Sequence, residues 1–260
     1  MRVTLTDVSK GRDEGVLPTT TLSFQTGDAV LVCAETEQRP TVLGLLATGR
    51  MRPDTGSVEI DGVTNPGLLR TRVALIDALD VSEPDSNISV AGVVAEELMF
   101  AGRRSNPVAA RRWLGRHDLS DIANRPFGTV APSERLRILL ELAVLRPGVE
   151  GFVLVSPDRH GGSPRAWWTL AREFAGRGFA VLVIAGVAAQ EALGSAAAPA
   201  ATRAYAAAPG AELSADKEPA TESEPQLDPR PDPEETSEDV APAPTSLADD
   251  SSDTQTGDPQ

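Results

Sequence analysis

Cysteine is nearly missing from this chain: Cys33 stands alone among 260 residues. That excludes an internal disulfide and any zinc cluster of cysteines, and leaves Cys33 the expected part of a small buried hydrophobe at a strand end. Long apolar runs are missing too. No stretch reaches 18 apolar residues, the length needed to span a bilayer. The N-terminus MRVTLTDVSK has neither an apolar core nor a small-residue cleavage site. The expectation is a cytoplasmic protein with no direct membrane insertion, reaching the inner face of the cell membrane only through a partner. Aromatic residues are 4% of the chain, and residues 212–260 contain none. Positive charge is scarce in that same stretch. Fifteen Asp and Glu against Lys217 and Arg230 leave it at −13 of the total −14, so the preceding body is near neutral.

The body is long enough for one sizeable core. Two strand-like pieces at 3–8 and 20–24 lead through the turn Gln25-Thr26-Gly27-Asp28 into a strand at 29–32. Further apolar strands are expected at Val73–Ile76, 152–155 and 180–184, and helices at Val90–Phe100, 107–115 and 164–175. A helix with Leu136, Leu139, Leu140, Ala143 and Val144 on one face lies between them, and Pro132 suits its first turn. Beyond Leu193 the composition turns to alanine and proline at 194–211. It then turns to Pro, Glu, Asp, Ser and Thr, which cannot bury enough apolar surface to order itself. The chain therefore divides into a folded domain at 1–193 and a disordered acidic tail at 194–260, read either as a solubilising linker or as a tether for a basic surface.

Residues 30–46, VLVCAETEQRPTVLGLL, organise the rest. A short apolar run, an irregular polar stretch and an apolar segment of helical spacing make strand, loop and helix, the setting of a phosphate-binding loop. That chemistry needs GxxxxGK[ST]: glycines so that backbone N–H groups close on phosphate, a lysine for the outer phosphates, and a hydroxyl for Mg²⁺. In this register Cys33 and Gln38 take the glycine positions, Arg39 the lysine and Pro40 the hydroxyl, with Thr41 opening the apolar helix.

Downstream the chain reads LLATGRMRPDTGSVEIDG from Leu45 to Gly62, with Arg52-Pro53-Asp54, Gly56 and Ile60-Asp61-Gly62 in order. This run resembles the ATP-binding cassette of ABC transporters. The resemblance implies an α/β, P-loop NTPase-like cassette with a small helical subdomain at about 90–145, the surface that rests on a permease in that family. It also implies ATP and Mg as cofactors, pairing as a homo- or heterodimer, and a set of motif positions. The family's adenine-stacking aromatic near position 12 is replaced by Gly11-Arg12-Asp13. The glutamine that follows the second apolar strand is replaced by Asp77-Ala78. The LSGGQ signature aligns with Val130-Ala131-Pro132-Ser133-Glu134, followed by Arg135 and Arg137, which fit the family's arginines. The Asp-Glu-Pro after the buried strand is replaced by Ser156-Pro157-Asp158, and the histidine after the last strand by Gly186. A proline is no general base, and a serine is a poor Mg²⁺ ligand beside a carboxylate. His160 falls where the family varies.

On this reading the protein is a non-catalytic cassette with no cofactor expected. It is an accessory or regulatory subunit whose partner is an integral-membrane permease or an intact ABC ATPase. The alternative is a live ATPase using Arg39, Thr41 and Asp158 in unusual ways. A weaker alternative is an interaction protein whose tail does the work. The arginines Arg103, Arg104, Arg111, Arg112 and Arg116 read as a solvated helix face or a contact for an acidic partner, with nucleic acid not expected. Trp113, His117, Trp167 and Trp168 read as packing residues.

Overall fold

The computed structural model describes residues 1–12, 15–35 and 39–194. The tail, Gln38, Glu37 and Asp13 lie outside the described residues. Among the described residues, seven strands and seven α-helices follow one another. They are β1 (Arg2–Lys10), β2 (Leu17–Gln25), β3 (Ala29–Cys33), α1 (Arg39–Ala47), β4 (Thr55–Ile60), α2 (Pro66–Arg72), β5 (Val73–Ile76), α3 (Val90–Phe100), α4 (Pro107–Arg116), α5 (Pro132–Ala143), β6 (Gly151–Val155), α6 (Pro164–Gly176), β7 (Ala180–Ala185) and α7 (Val187–Leu193).

Two sheets form. The first is antiparallel, in the order β2-β1-β4, and the second parallel, in the order β3-β7-β6-β5. The parallel strands are apolar on both faces, as expected of a sheet covered on both sides, and alternation sends their side chains to two separate cores. Leu31, Ala74, Phe152, Leu154, Val181 and Val183 pack with the helices α3 to α6. Val30, Val32, Leu75, Val153, Leu182 and Ile184 pack with α1 and the antiparallel sheet. Gly44 lets α1 lie close on the sheet, since a Cβ there would stand 2.8 Å from Val155 Cγ2.

The run from Leu45 to Gly62 has a structural explanation. Gly56 has φ +72°, and a Cβ on it would meet the Thr6 carbonyl oxygen at 2.2 Å, where β1 bulges between Thr6 and Ser9 against β4. Asp61 accepts from the Arg2 N–H at 2.7 Å and from Arg72 Nη1 at 2.9 Å, tying the end of β4 to the start of β1.

Helix starts carry local signals. Asn65, Ser89 and Asn106 accept from the N–H groups of Leu68, Gly92 and Ala109, side-chain caps that satisfy otherwise orphaned donors. Pro132 opens α5 as expected. One detail differs from the sequence reading. The helix α1 starts at Arg39 rather than Thr41, because Pro40 is accommodated in a first turn whose N–H has no intrahelical partner. His117, though exposed, lies against the core as expected, its ring stacked 4.0 Å from that of buried Trp113.

Candidate functional site

The four parallel strands end level with one another: Cys33 pairs with Ala185, Val155 with Ile184, and Ile76 with Leu154. Carboxyl ends of parallel strands are where α/β sheets place their ligands. Four chain segments leave from this edge, and they carry most of the candidate positions. Two residues just past the strands adopt left-handed backbone, Asp77 at φ +57° after β5 and Ser156 at φ +46° after β6. Strained backbone of this kind persists only where its surroundings over-determine it.

On the β3 side the edge is closed by carboxylates. Glu35 Oε1 accepts from the Val187 N–H at 2.7 Å, and Asp158 Oδ2 from the Gly186 N–H at 3.0 Å. A Cβ on Gly186 would lie 3.2 Å from Asp158 and 3.3 Å from Glu35, which leaves a larger side chain little room. Cys33 is half-buried rather than fully buried, because its thiol reaches Gln190 Oε1 at the edge. Burial, with Glu35 and Asp158 adding to it, pushes the thiol pKa up. Arg39 and Pro40 form the start of α1, with Pro40 buried and Thr41 half-buried behind it. The recess beside Cys33 and Arg39, lined also by Leu17, Pro18, Thr20 and Leu43, encloses about 10 Å³. Small-molecule sites have about 300–1,000 Å³.

On the β5 side the edge is closed by an ion cluster. Asp77 and Arg135 are 4% and 3% exposed, and Arg135 Nη2 donates to Asp77 Oδ1 at 2.8 Å. His160 Nε2 lies 2.7 Å from Asp77 Oδ2. Arg159 Nη2 pairs with Asp77 Oδ1 at 3.2 Å and with Glu83 Oε1 at 3.0 Å, and Arg135 reaches Glu83 at 3.5 Å. The Arg135 guanidinium also sits 4.5 Å from the centre of the Phe127 ring. Burial pushes the Asp77 carboxyl up, but His160, Arg135 and Arg159 outweigh it and hold its pKa below the usual carboxylate range. The cluster joins three elements: the segment after β5, the first turn of α5, and the short 3-10 helix Pro157–His160 after β6.

Asp77, Glu83 and His160 offer ligand atoms within 4.8 Å of one another, the arrangement a cation could use. The same Asp77 and Glu83 oxygens already face two guanidinium groups, so a cation there would have to displace arginine. Charge balance favours the ion pairs as they stand.

Ala78 is buried beside this cluster, its N–H donating to Ser82 Oγ at 3.1 Å. Pro157 is buried and Ser156 half-buried, and β6 ends at Val155 with no slip of two residues that would bring Asp158 onto the Ser156 position. Ala131, Pro132, Ser133 and Glu134 form the entry to α5. Ser133 and Glu134 face a different cavity of about 590 Å³, lined with Trp113, His117, Arg137 and Glu141. The two arginines after them have separate roles: Arg135 is buried on Asp77, and exposed Arg137 pairs with Glu173. Sequence reasoning missed Glu83, Arg159 and His160 as a unit, and the capping by Glu35. One signal was legible, a carboxylate at Asp77 where a buried strand ends, which calls for a cationic partner. Nothing local names that partner.

Compared by sequence, the chain matches no family model and no curated protein. Compared by structure, it is similar to ATP-binding cassettes. One is a nucleotide-free ATP-binding cassette from an ABC transporter, at TM-score 0.51 and 16% identity over 74% of this chain and 84% of that one. Another is described as an ABC transporter ATP-binding protein from Pyrococcus furiosus, at TM-score 0.51 and 17% identity over 72% and 92%. A third is an ATP-binding cassette of an ABC transporter, at TM-score 0.50 and 15% identity over 71% and 81%. The chain has the fold of an ABC transporter ATP-binding cassette.

Proposed function

We propose that this protein is a non-catalytic cassette, an accessory or regulatory subunit of a membrane transporter-like complex. The observation that carries this reading is the strand edge itself, where the chain's own side chains pair with one another and with the backbone N–H groups of Gly186 and Val187 at the positions from which a cassette would hold Mg-ATP. The described residues there do not fit that ligand. Glu35 and Asp158 place carboxylates on the Val187 and Gly186 N–H groups, and a like-charge contact at 4 Å costs about 1 kcal/mol in water and about 4 kcal/mol at an effective dielectric of 20. Pro40 has no N–H to give at the start of α1, and Ser156 and Pro157 offer no metal-binding carboxylate or general base. Loss of a single preorganised electrostatic contact slows an enzyme by about 10²–10³-fold, and here several are replaced together.

A groove supports the partner half of the reading. The segment after β5 and the helix α3 frame a cavity of about 430 Å³ lined by Val81, Glu83, Pro84, Val93, Glu96 and Phe100. Its wall mixes apolar residues with the charges of both signs of Glu83, Glu96, Glu97, Arg50 and Arg146, which suits a short helical loop of a permease. Among the described residues no helix is long and apolar enough to cross a membrane, so attachment through such a partner is the form the reading takes.

The test has two arms. A ligand at about 100 times its dissociation constant stabilises a native state by about 2.7 kcal/mol. The expected result with millimolar MgATP is no thermal shift and no hydrolysis, whereas a shift of several degrees would favour the live ATPase. Affinity purification from host membranes is expected to bring down a multi-span protein, and Val81→Glu to release it.

A further inference from the structure

We propose that the tip formed by the end of α3, the turn after it and the outer face of α4 is a contact surface for the anionic headgroups of a lipid bilayer. This goes beyond the permease reading and does not depend on it.

Residues 99–116, MFAGRRSNPVAARRWLGR, hold five arginines and no carboxylate in a chain whose overall charge is −14. The structure puts those arginines outward. Buried Ala110, Trp113 and Leu114 define the inner face of α4, which leaves Val108, Arg111, Arg112 and Arg116 at helical spacing on the outer one. Arg103 and Arg104 are exposed in the preceding turn. Along the same stretch of chain stand three of the most exposed large apolar side chains, Val108 at 65%, Phe100 at 57% and Met99 at 56%, with the Phe100 ring also 5.7 Å from the Arg146 guanidinium. Apolar residues interleaved with arginine are the pattern of interfacial segments, whose apolar tips enter the headgroup boundary while guanidinium groups meet phosphate.

The tip is also held in shape before it meets anything. Gly102 at φ +65° closes α3, with its own N–H donating to Met99 O at 2.9 Å and the Arg103 N–H to Leu98 O at 2.8 Å. Asn106 caps α4 through the Ala109 N–H at 2.8 Å. Arg111 is steadied by Asn124 at 3.3 Å. Charge complementarity selects the anionic leaflet, and the absence of a spanning helix among the described residues makes this contact peripheral.

The experiment is co-sedimentation of the full chain with vesicles of phosphatidylcholine, with and without about one third phosphatidylserine, at low and at physiological salt. Binding is expected only with phosphatidylserine and to weaken as salt rises. Each arginine at such a surface contributes about fivefold, so Arg103→Glu with Arg104→Glu is expected to reduce partitioning by at least on the order of 25-fold. Met99→Ser with Phe100→Ser is expected to abolish the part that survives at high salt, with circular dichroism unchanged. Equal binding to neutral vesicles, no binding at low salt, or tighter binding to heparin or single-stranded RNA than to vesicles would overturn the proposal. The lipid and salt arms use the unaltered chain and decide by themselves if a variant does not fold. Vesicles contain no protein, so failure here leaves the permease reading standing, and failure of membrane co-purification leaves this one.

Discussion

The antiparallel frame and the carboxyl edge of the parallel sheet are built from the same chain under opposite rules. In the frame, single residues answer to the backbone: Gly56 accommodates the bulge of β1, and Asp61 ties β4 to Arg2 and Arg72. At the edge, side chains answer to each other on the β5 side, Arg135 to Asp77 and Arg159 to Glu83, while on the β3 side Glu35 caps the Val187 N–H. The frame is thus tied by single residues, while the residues at the carboxyl edge pair among themselves. The comparison teaches that fold and chemistry separate at strand ends, where backbone geometry no longer dictates which side chain stands.

Breaking the rim should have the largest effect. Asp77→Leu leaves buried Arg135 with Glu83 at 3.5 Å in place of its close carboxylate partner, and removing one partner of a buried pair costs about 3–5 kcal/mol. Adding Arg135→Leu should restore much of the loss, because replacing a buried pair by apolar residues is often neutral. Urea denaturation of the single and double variants reads the difference, and equal stability of Asp77→Leu and the unaltered chain would remove the rim as a structural unit.

Breaking the frame comes next. Gly56→Ala drives a Cβ into the Thr6 carbonyl at a positive φ, with an expected loss of about 3 kcal/mol and a fall in Tm of roughly 6–12 °C. A Tm within a degree of the unaltered protein would show that the bulge can move.

The frame was legible before any coordinates because the run from Leu45 to Gly62 resembles a known family, although the needs it meets are set far off in sequence, Gly56 by the Thr6 carbonyl and Asp61 by Arg2. The strands 152–155 and 180–184 were legible because a doubly covered sheet demands unbroken apolar runs. At the rim the sequence offered only an expectation, that Ser156, Pro157 and Gly186 stand where the resemblance implies ligand-holding residues. The ion cluster there depends on Arg135 meeting Asp77 across 58 positions and His160 meeting it across 83, and no periodicity or motif encodes such a meeting.

Acid sharpens the comparison further. The Asp77 pKa is depressed in the folded state, so its contribution is fully present above the ordinary carboxylate range and is lost as pH falls through the folded value. Stability of the unaltered chain should therefore drop between neutral pH and strong acid more steeply than that of Asp77→Asn, followed by chemical denaturation at stepped pH. Parallel curves would exclude Asp77 as the residue responsible.

The smallest effect is at Cys33. Its thiol pKa is raised by burial and by Glu35 and Asp158, and thiolate is the reactive form. Alkylation by iodoacetamide should be slower than that of a free thiol at neutral pH. Glu35→Gln should speed it, because it removes one of the charges that oppose the thiolate.

The account rests on a rim filled by the protein's own side chains. Crystals grown with a non-hydrolysable ATP analogue and Mg²⁺ test this most directly. The predicted result is an edge in which Glu35 still meets the Val187 N–H and Arg135 still meets Asp77, with no analogue bound. Density for three phosphorus atoms beside Arg39, with those contacts broken, would contradict it.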